Sequence, residues 1–175
     1  LIDRLTDRPD RSEAEQAAFV RQYRALDDIQ LLMETLLWVN RQSDNLPKSE
    51  QIDLRGEVDG IVENYRYLLD ARDVSLSVDG SGGAHVPLAA ARIVLSNLVR
   101  NAFQYTVDGE VRIAIKQGEF SIENVSSADP NIKAQGDDDY GFGLGLELVS
   151  LICKRFAWRY TTTELPAGRA TVVGF

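Results

Sequence analysis

The hydrophobic pattern opens on one long helical stripe. From Ser12 to about Gln42 the chain has neither glycine nor proline. Phe19, Tyr23, Leu26, Met33 and Leu37 recur at steps of three and four, with Gln30 on the same face. Ile29, Leu32 and Leu36 widen that stripe. Ser12 reads as an N-cap, and Glu13 and Glu15 suit the positive end of a helix. Before it, Pro9 among charged residues marks a helix end and turn. A helix of roughly 30 residues with so broad an apolar face needs a partner helix to cover it. Pairing between two copies of the chain supplies one. Packing of the helix on its own domain is the alternative.

After a linker at 43–51 that contains Pro47, the periods become short and mixed. Ile52 and Leu54 alternate with polar neighbours as in a strand. Residues 55–71 return to helical spacing, with Val58, Ile61, Val62, Tyr65, Leu68 and Leu69 on one side. The stretch 74–80 (VSLSVDG) alternates as a strand, and GSGGAH reads as a loop. Residues 88–105 form a helix that buries Ile93, Leu95, Leu98, Val99 and Ala102. Residues 110–125 form a β-hairpin turning at Gln117-Gly118. Residues 126–140 are polar and aperiodic, with Pro130, Gly136 and three successive aspartates, and read as a mobile loop. A helix at 145–156 and two last strands, RYTTTEL and RATVVGF, complete the chain. About five strands and three helices in this order predict an α+β fold. It is a two-layer α/β sandwich, a mixed and mostly antiparallel sheet covered by about three helices, preceded by the long helix. The division falls into residues 1–45 and 46–175.

Charge narrows the partners. Nineteen basic against 27 acidic residues leave a net charge of -8, so no nucleic-acid partner is expected. A small phosphate ligand is still compatible, because backbone N–H groups and a metal ion can carry its charge. The single cysteine, Cys153, excludes a disulfide framework within the chain and a cysteine-based zinc site. It lies in an apolar run and reads as buried filler, which fits a reducing compartment. No apolar run approaches the roughly 20 residues that span a bilayer, and no signal peptide is visible. The chain begins at Leu1, so it is expected to be a piece of a longer protein.

Two clusters carry candidate chemistry. Asn97 and Asn101, in NLVRNAFQYT, are four apart and share one face of a helix. Two carboxamides on an otherwise apolar helix are costly unless they meet a ligand or each other. An amide oxygen is a hard ligand that suits magnesium, which keeps waters and phosphates as its other ligands. A pair of capping or solvent-facing asparagines is the competing reading. Second, Gly141, Gly143 and Gly145 alternate with Phe142, Leu144 and Leu146 ahead of a helix. Glycines admit close backbone approach, and a helix N-terminus offers free N–H groups to a phosphate. A glycine-rich turn without ligand is the alternative. The cluster is neither a P-loop nor a dinucleotide fingerprint, because no Gly-Lys-Ser/Thr follows and no strand precedes it.

The two clusters in this order, separated by a hairpin and a variable loop, resemble the N-box and G2-box of sensor histidine kinases. Their ATP-binding domain is part of the wider superfamily of gyrase, Hsp90 and MutL ATPases. The resemblance covers about residues 50–175. The long helix before it resembles the second helix of the dimerisation and histidine-phosphotransfer domain. Residues 1–45 are then part of that helical stem and 46–175 the catalytic ATP-binding domain. The resemblance implies that Asn101 holds magnesium with Asn97 assisting. Tyr105 stands at the aromatic position near the nucleotide. Gln104 stands where the family commonly has Lys or Arg. Gly141, Phe142, Gly143, Leu144, Gly145 and Leu146 match the turn that covers the phosphates. Thr171 matches the strand threonine near adenine. The family's G1-box, an Asp followed by spaced glycines, is altered here to FSIENVSSADP, so the resemblance implies Asn124 as the candidate for the adenine contact, with a strand-end turn asparagine as the alternative. A neutral amide replaces a carboxylate there, and weaker affinity is expected.

What this implies is the transfer of the γ-phosphate of ATP, with magnesium, to a histidine. The only histidine, His85 in GAHVPLAA, lacks the family's acidic neighbour and is expected to be structural or at the surface. The acceptor helix is then absent from the chain, and autophosphorylation by this chain alone is not expected. Further partners implied are a response regulator and a second copy joined through the 12–42 helix. The implied location is the cytoplasmic side of a bacterial inner membrane that holds the parent protein. Asn97 stands where the related ATPases carry a Glu general base, and an amide takes no proton. That argues against a gyrase-like ATPase. A degenerate docking module with little nucleotide affinity is the other alternative.

Overall fold

The computed structural model describes Ile29, Met33 and residues 47–70, 72–126 and 144–175. The chain divides into two units, Leu1–Gln42 and Ser43–Phe175. In the first, Ile29 and Met33 are helical and exposed. The rest of the expected 12–42 helix, residues 127–140 of the expected loop and residues 141–143 of the glycine cluster lie outside the described residues.

The second unit begins with strand β1 (Glu50–Asp53). Asp53 stops it: its backbone is still extended, and its Oδ1 accepts the Arg55 amide at 3.1 Å as an N-cap. Helix α1 (Leu54–Tyr65) therefore starts one residue early, and Leu54 is fully buried in its first turn instead of ending the strand. A 3-10 turn (Arg66–Leu69) follows, then β2 (Asp73–Gly80) and β3 (Gly83–Val86). Sequence patterning made β3 a loop, and the structure corrects this. It pairs antiparallel with β1, Glu50 opposite Val86 and Asp53 opposite Gly83. A Cβ on Gly83 would stand 2.8 Å from the Ile52 carbonyl oxygen, so the glycines that suggested a loop are what let the strands approach.

Helix α2 (Leu88–Tyr105) follows Pro87, whose fixed φ of -66° prepares the helix start. Val94, Leu95, Val99 and Phe103 on its inner side are completely buried. Ile93, expected in the core, is only half-buried, and Val94 takes the inward place. The hairpin is β4 (Asp108–Lys116) and β5 (Glu119–Val125), turning where Gly118 adopts φ 67°. Then come α3 (Leu144–Phe156), β6 (Arg159–Leu165) and β7 (Gly168–Gly174).

The main sheet has the order β2-β4-β5-β7-β6, with β2 and β4 parallel and the other pairs antiparallel. Its register places Ile113, Ile122, Thr171 and Thr162 in one row across the sheet. Ile115, Phe120, Val173 and Tyr160 form the next row. Val111, Ile113, Ile115, Phe120, Ile122 and Val173 are buried, so this is the inner face. The opposite face carries Arg112 paired with Glu110 and Glu123, and Arg159 and Lys116 paired with Glu119. Exposed pairs of this kind contribute little stability each, but they make that face a solvated one. The architecture is thus the expected mixed, mostly antiparallel α+β sandwich, with seven strands among the described residues.

Candidate functional site

The expected site residues converge on α2 and the inner face of the sheet. Asn97 is buried to 8% exposure, and its Nδ2 donates to the Ile93 carbonyl at 2.7 Å. The helix therefore uses the amide nitrogen and leaves the amide oxygen as the available acceptor. Asn101, one turn later, is half-buried, and its side chain makes no hydrogen bond among the described residues. Gln104 is half-buried and Tyr105 is 56% exposed. The polar face of α2 thus runs from a buried amide to an open aromatic ring.

Asn124 is half-buried on β5. Register sets it between Val111 of β4 and Arg169 of β7, so it shares the inner face with Ile122 and Thr171. The strand continues one residue past it, to Val125. Gly168 presses on this strand end, since a Cβ there would lie 1.8 Å from the Asn124 carbonyl oxygen. Thr171 is 4% exposed, and its Oγ1 shares a 2.8 Å hydrogen bond with Thr162 Oγ1. Its hydroxyl already has a protein partner and keeps one further hydrogen-bonding capacity.

Of the glycine cluster, Gly141, Phe142 and Gly143 lie outside the described residues. Leu144 opens α3, with Gly145 and Leu146 half-buried in its first turn. These last three therefore belong to the helix start and not to a turn before it. Helix α2, which carries the asparagines, lies against both α3 and β5, the strand of Asn124. His85 is exposed on β3 opposite Gln51, in the small sheet.

Among the described residues, no group of three or more His, Cys, Asp or Glu is placed to hold a metal. The donors on this face are amides, which are hard but neutral. They fit magnesium when phosphate oxygens bring the negative charge. Cys153 is a free thiol, 1% exposed on α3, and burial pushes its pKa up to about 11. It is inert filler and not a nucleophile.

Two residues near the site escape sequence reading. Arg169 neighbours Asn124 across the β5–β7 pair and is held by Glu164, with Nε and Nη2 at 2.9 and 2.7 Å from its Oε1. Arg72, before β2, donates to carbonyls at the end of α2. Both interactions depend on chain positions that only the fold brings together, and no spacing announces them.

A mixed sheet with three helices, and an asparagine pair on the helix that packs against the other two, defines the class. The chain has the fold of histidine kinase catalytic domains. No family model matches the sequence. The sensor histidine kinase HprS of Escherichia coli (strain K12) is 27% identical over 146 residues, covering 74% of this chain and 32% of that protein. The chain thus spans about a third of the length of the curated relative it matches. Among solved structures, the Acinetobacter baumannii histidine kinase AdeS superposes with a TM-score of 0.66 at 19% identity, over 94% of this chain and 84% of that one. Full-length ShkA in complex with AMPPNP gives 0.62 at 20% identity, over 93% of this chain and 39% of that one.

Proposed function

We propose that residues 46–175 are the ATP-binding catalytic domain of a two-component sensor histidine kinase, passing the γ-phosphate of ATP to a histidine outside this chain. The observation that carries this reading is the state of Asn97. It is a nearly buried carboxamide whose nitrogen is tied to its own helix and whose oxygen remains to accept. Asn101 follows one helical turn later, above the sheet face that holds Asn124 and Thr171. A related fold has been solved with the ATP analogue AMPPNP.

In this reading Asn101 and Asn97 offer amide oxygens to magnesium, which when bound neutralises phosphate charge. Asn124 accepts from the adenine amino group, and Thr171 adds a hydroxyl beside it. Tyr105 covers the nucleotide from the open end of α2, and Gln104 donates a neutral hydrogen bond to phosphate. The residues from Gly141 to Leu146 cover the phosphates through backbone N–H groups at the start of α3. Phosphoryl transfer then rests on positioning and charge neutralisation, and an imidazole attacks in its neutral form. With an amide at position 97, no general base is present there to activate water, so steady hydrolysis of free ATP is slow.

Residues 1–45 belong in this reading to the dimerisation stem, with a response regulator as downstream partner. No helix among the described residues is long and apolar enough to cross a membrane. The domain is placed at the cytoplasmic side of a membrane-held parent. Calorimetry with ATP and magnesium tests the site, and absence of binding at millimolar ATP sinks it. Mixing the chain with a separate acceptor-helix fragment tests transfer. Label should reach the acceptor histidine and be lost in Asn101→Ala. One observation favours a second reading: amides stand at both 104 and 124 where charge is usual, as a docking module with lost nucleotide affinity requires. No binding at millimolar ATP selects it.

A further inference from the structure

Arg72 stands between the 3-10 turn and β2, more than 30 residues before the end of α2 in sequence. Its Nη1 lies 3.0 Å from the Phe103 carbonyl oxygen, 3.0 Å from that of Gln104 and 2.9 Å from that of Thr106. The last four carbonyls of a helix have no partner within it, and they form the negative end of its dipole. Helix α2 has no basic residue of its own in its last turn. Thr106, fully buried, covers Ala102: its backbone N–H and Oγ1 both donate to that carbonyl, at 3.2 and 2.7 Å. Arg72 covers the carbonyls that follow. A guanidinium is suited to this task, because its charge strengthens each bond, and the two N–H groups of Nη1 are shared among the three carbonyls.

The turn closed in this way carries Gln104 and Tyr105, and Asn101 is the residue immediately before it. We infer that Arg72 is a positioning residue for the nucleotide site, fixing the last turn of α2 and through it the place of the Asn101 amide. This rests on the nucleotide reading above. The three bonds of Arg72 Nη1 all go to backbone carbonyls, so the role proposed for it is exerted through the backbone of the helix. The sensitivity follows from magnesium, which demands near-ideal octahedral geometry and tolerates little displacement of a ligand. A frayed last turn moves that ligand while leaving the sheet side of the pocket, Asn124 and Thr171, in place.

The test compares AMPPNP affinity with magnesium and with EDTA in wild type, Arg72→Gln, Arg72→Lys and Asn101→Ala. Thermal unfolding confirms that each variant is folded, and Arg72→Lys carries the comparison if Arg72→Gln is not. The expected result is that Arg72→Gln loses the magnesium-dependent part of affinity by about tenfold or more, as outer-shell changes do. Its affinity in EDTA stays within about twofold of wild type, because the sheet-side contacts do not involve Arg72. Arg72→Lys falls between, and Arg72→Gln added to Asn101→Ala costs nothing further. Amide exchange of residues 101–106 in the free protein speeds up in Arg72→Gln. Unchanged exchange there, or equal losses with magnesium and with EDTA, overturns the positioning role while the nucleotide reading stands. A wild-type chain that binds no AMPPNP removes the nucleotide reading, and this role with it.

Discussion

At Gly168 a missing methyl group keeps two strands in contact. A Cβ there would meet the Asn124 carbonyl oxygen at 1.8 Å and its carbon at 2.8 Å, and both are backbone atoms that cannot swing aside. Gly168→Ala should therefore destabilise by about 1–3 kcal/mol, the usual cost of forcing atoms into a filled space. It should also disturb the Asn124 strand end more than distant sites. Urea unfolding checks the first part; unchanged stability counts against this contact. At Cys153, burial raises the thiol from its ordinary 9.0 to about 11. A raised folded-state pKa means the unfolded chain loses its proton first. This contribution to stability is thus complete below about pH 9 and is lost as pH rises towards about 11. Reaction with a thiol reagent at pH 8 should wait for opening of α3 and follow the unfolding rate. Rapid labelling of the native protein contradicts this picture. Asn124→Asp turns a neutral acceptor into a charged one, so ATP affinity should rise by about 1 kcal/mol. Titration of the variant against wild type measures it, and a fall in affinity places Asn124 elsewhere than at the base.

The elements are held by packing more than by their ion pairs. Phe103 on α2 is completely buried. Phe103→Ala should cost about 3–5 kcal/mol, through lost transfer energy and the cavity left behind. Arg92 ties α2 to α1 through Glu57, with bonds of 2.6 and 3.0 Å. The Glu57 carboxylate holds the Arg92 guanidinium pKa above its ordinary value. The Arg92 side chain is 57% exposed, so solvent screens the pair and Arg92→Ala should cost less than about 1 kcal/mol. Denaturant unfolding of the two variants side by side decides the ranking; an equal loss means the pair is stronger than its exposure allows. The long amphipathic elements were legible from periodicity, since α2 needs one face of apolar residues to cover the sheet. β3 was not legible: four residues with a glycine at their start show too few alternations, and their strand state comes only from pairing with β1. Ile93 was misjudged because one residue, about 100° of helix rotation, separates it from the buried Val94.

For the molecule as a whole, ligand binding is the most direct readout. With AMPPNP and magnesium at about 100 times the dissociation constant, the folded state should gain about 2.7 kcal/mol by mass action. The melting temperature should rise accordingly, and Asn101→Ala should remove most of the rise. A melting temperature indifferent to nucleotide speaks for the docking-module reading.

Sequence alone determined the class and order of the elements apart from β3, and the two amide positions on one helix face, because these depend on local period and spacing. It also determined the neutral chemistry at positions 104 and 124, since residue type is all that such a statement needs. Tertiary structure decided which neighbours complete that chemistry. Thr171 meets Thr162, Asn124 stands beside Arg169, and Arg72 closes the end of α2. Each of these joins residues on separate strands or elements, and the Arg72 contacts span more than 30 residues. Such contacts follow from strand register and helix docking, which the whole core sets at once and no local pattern records.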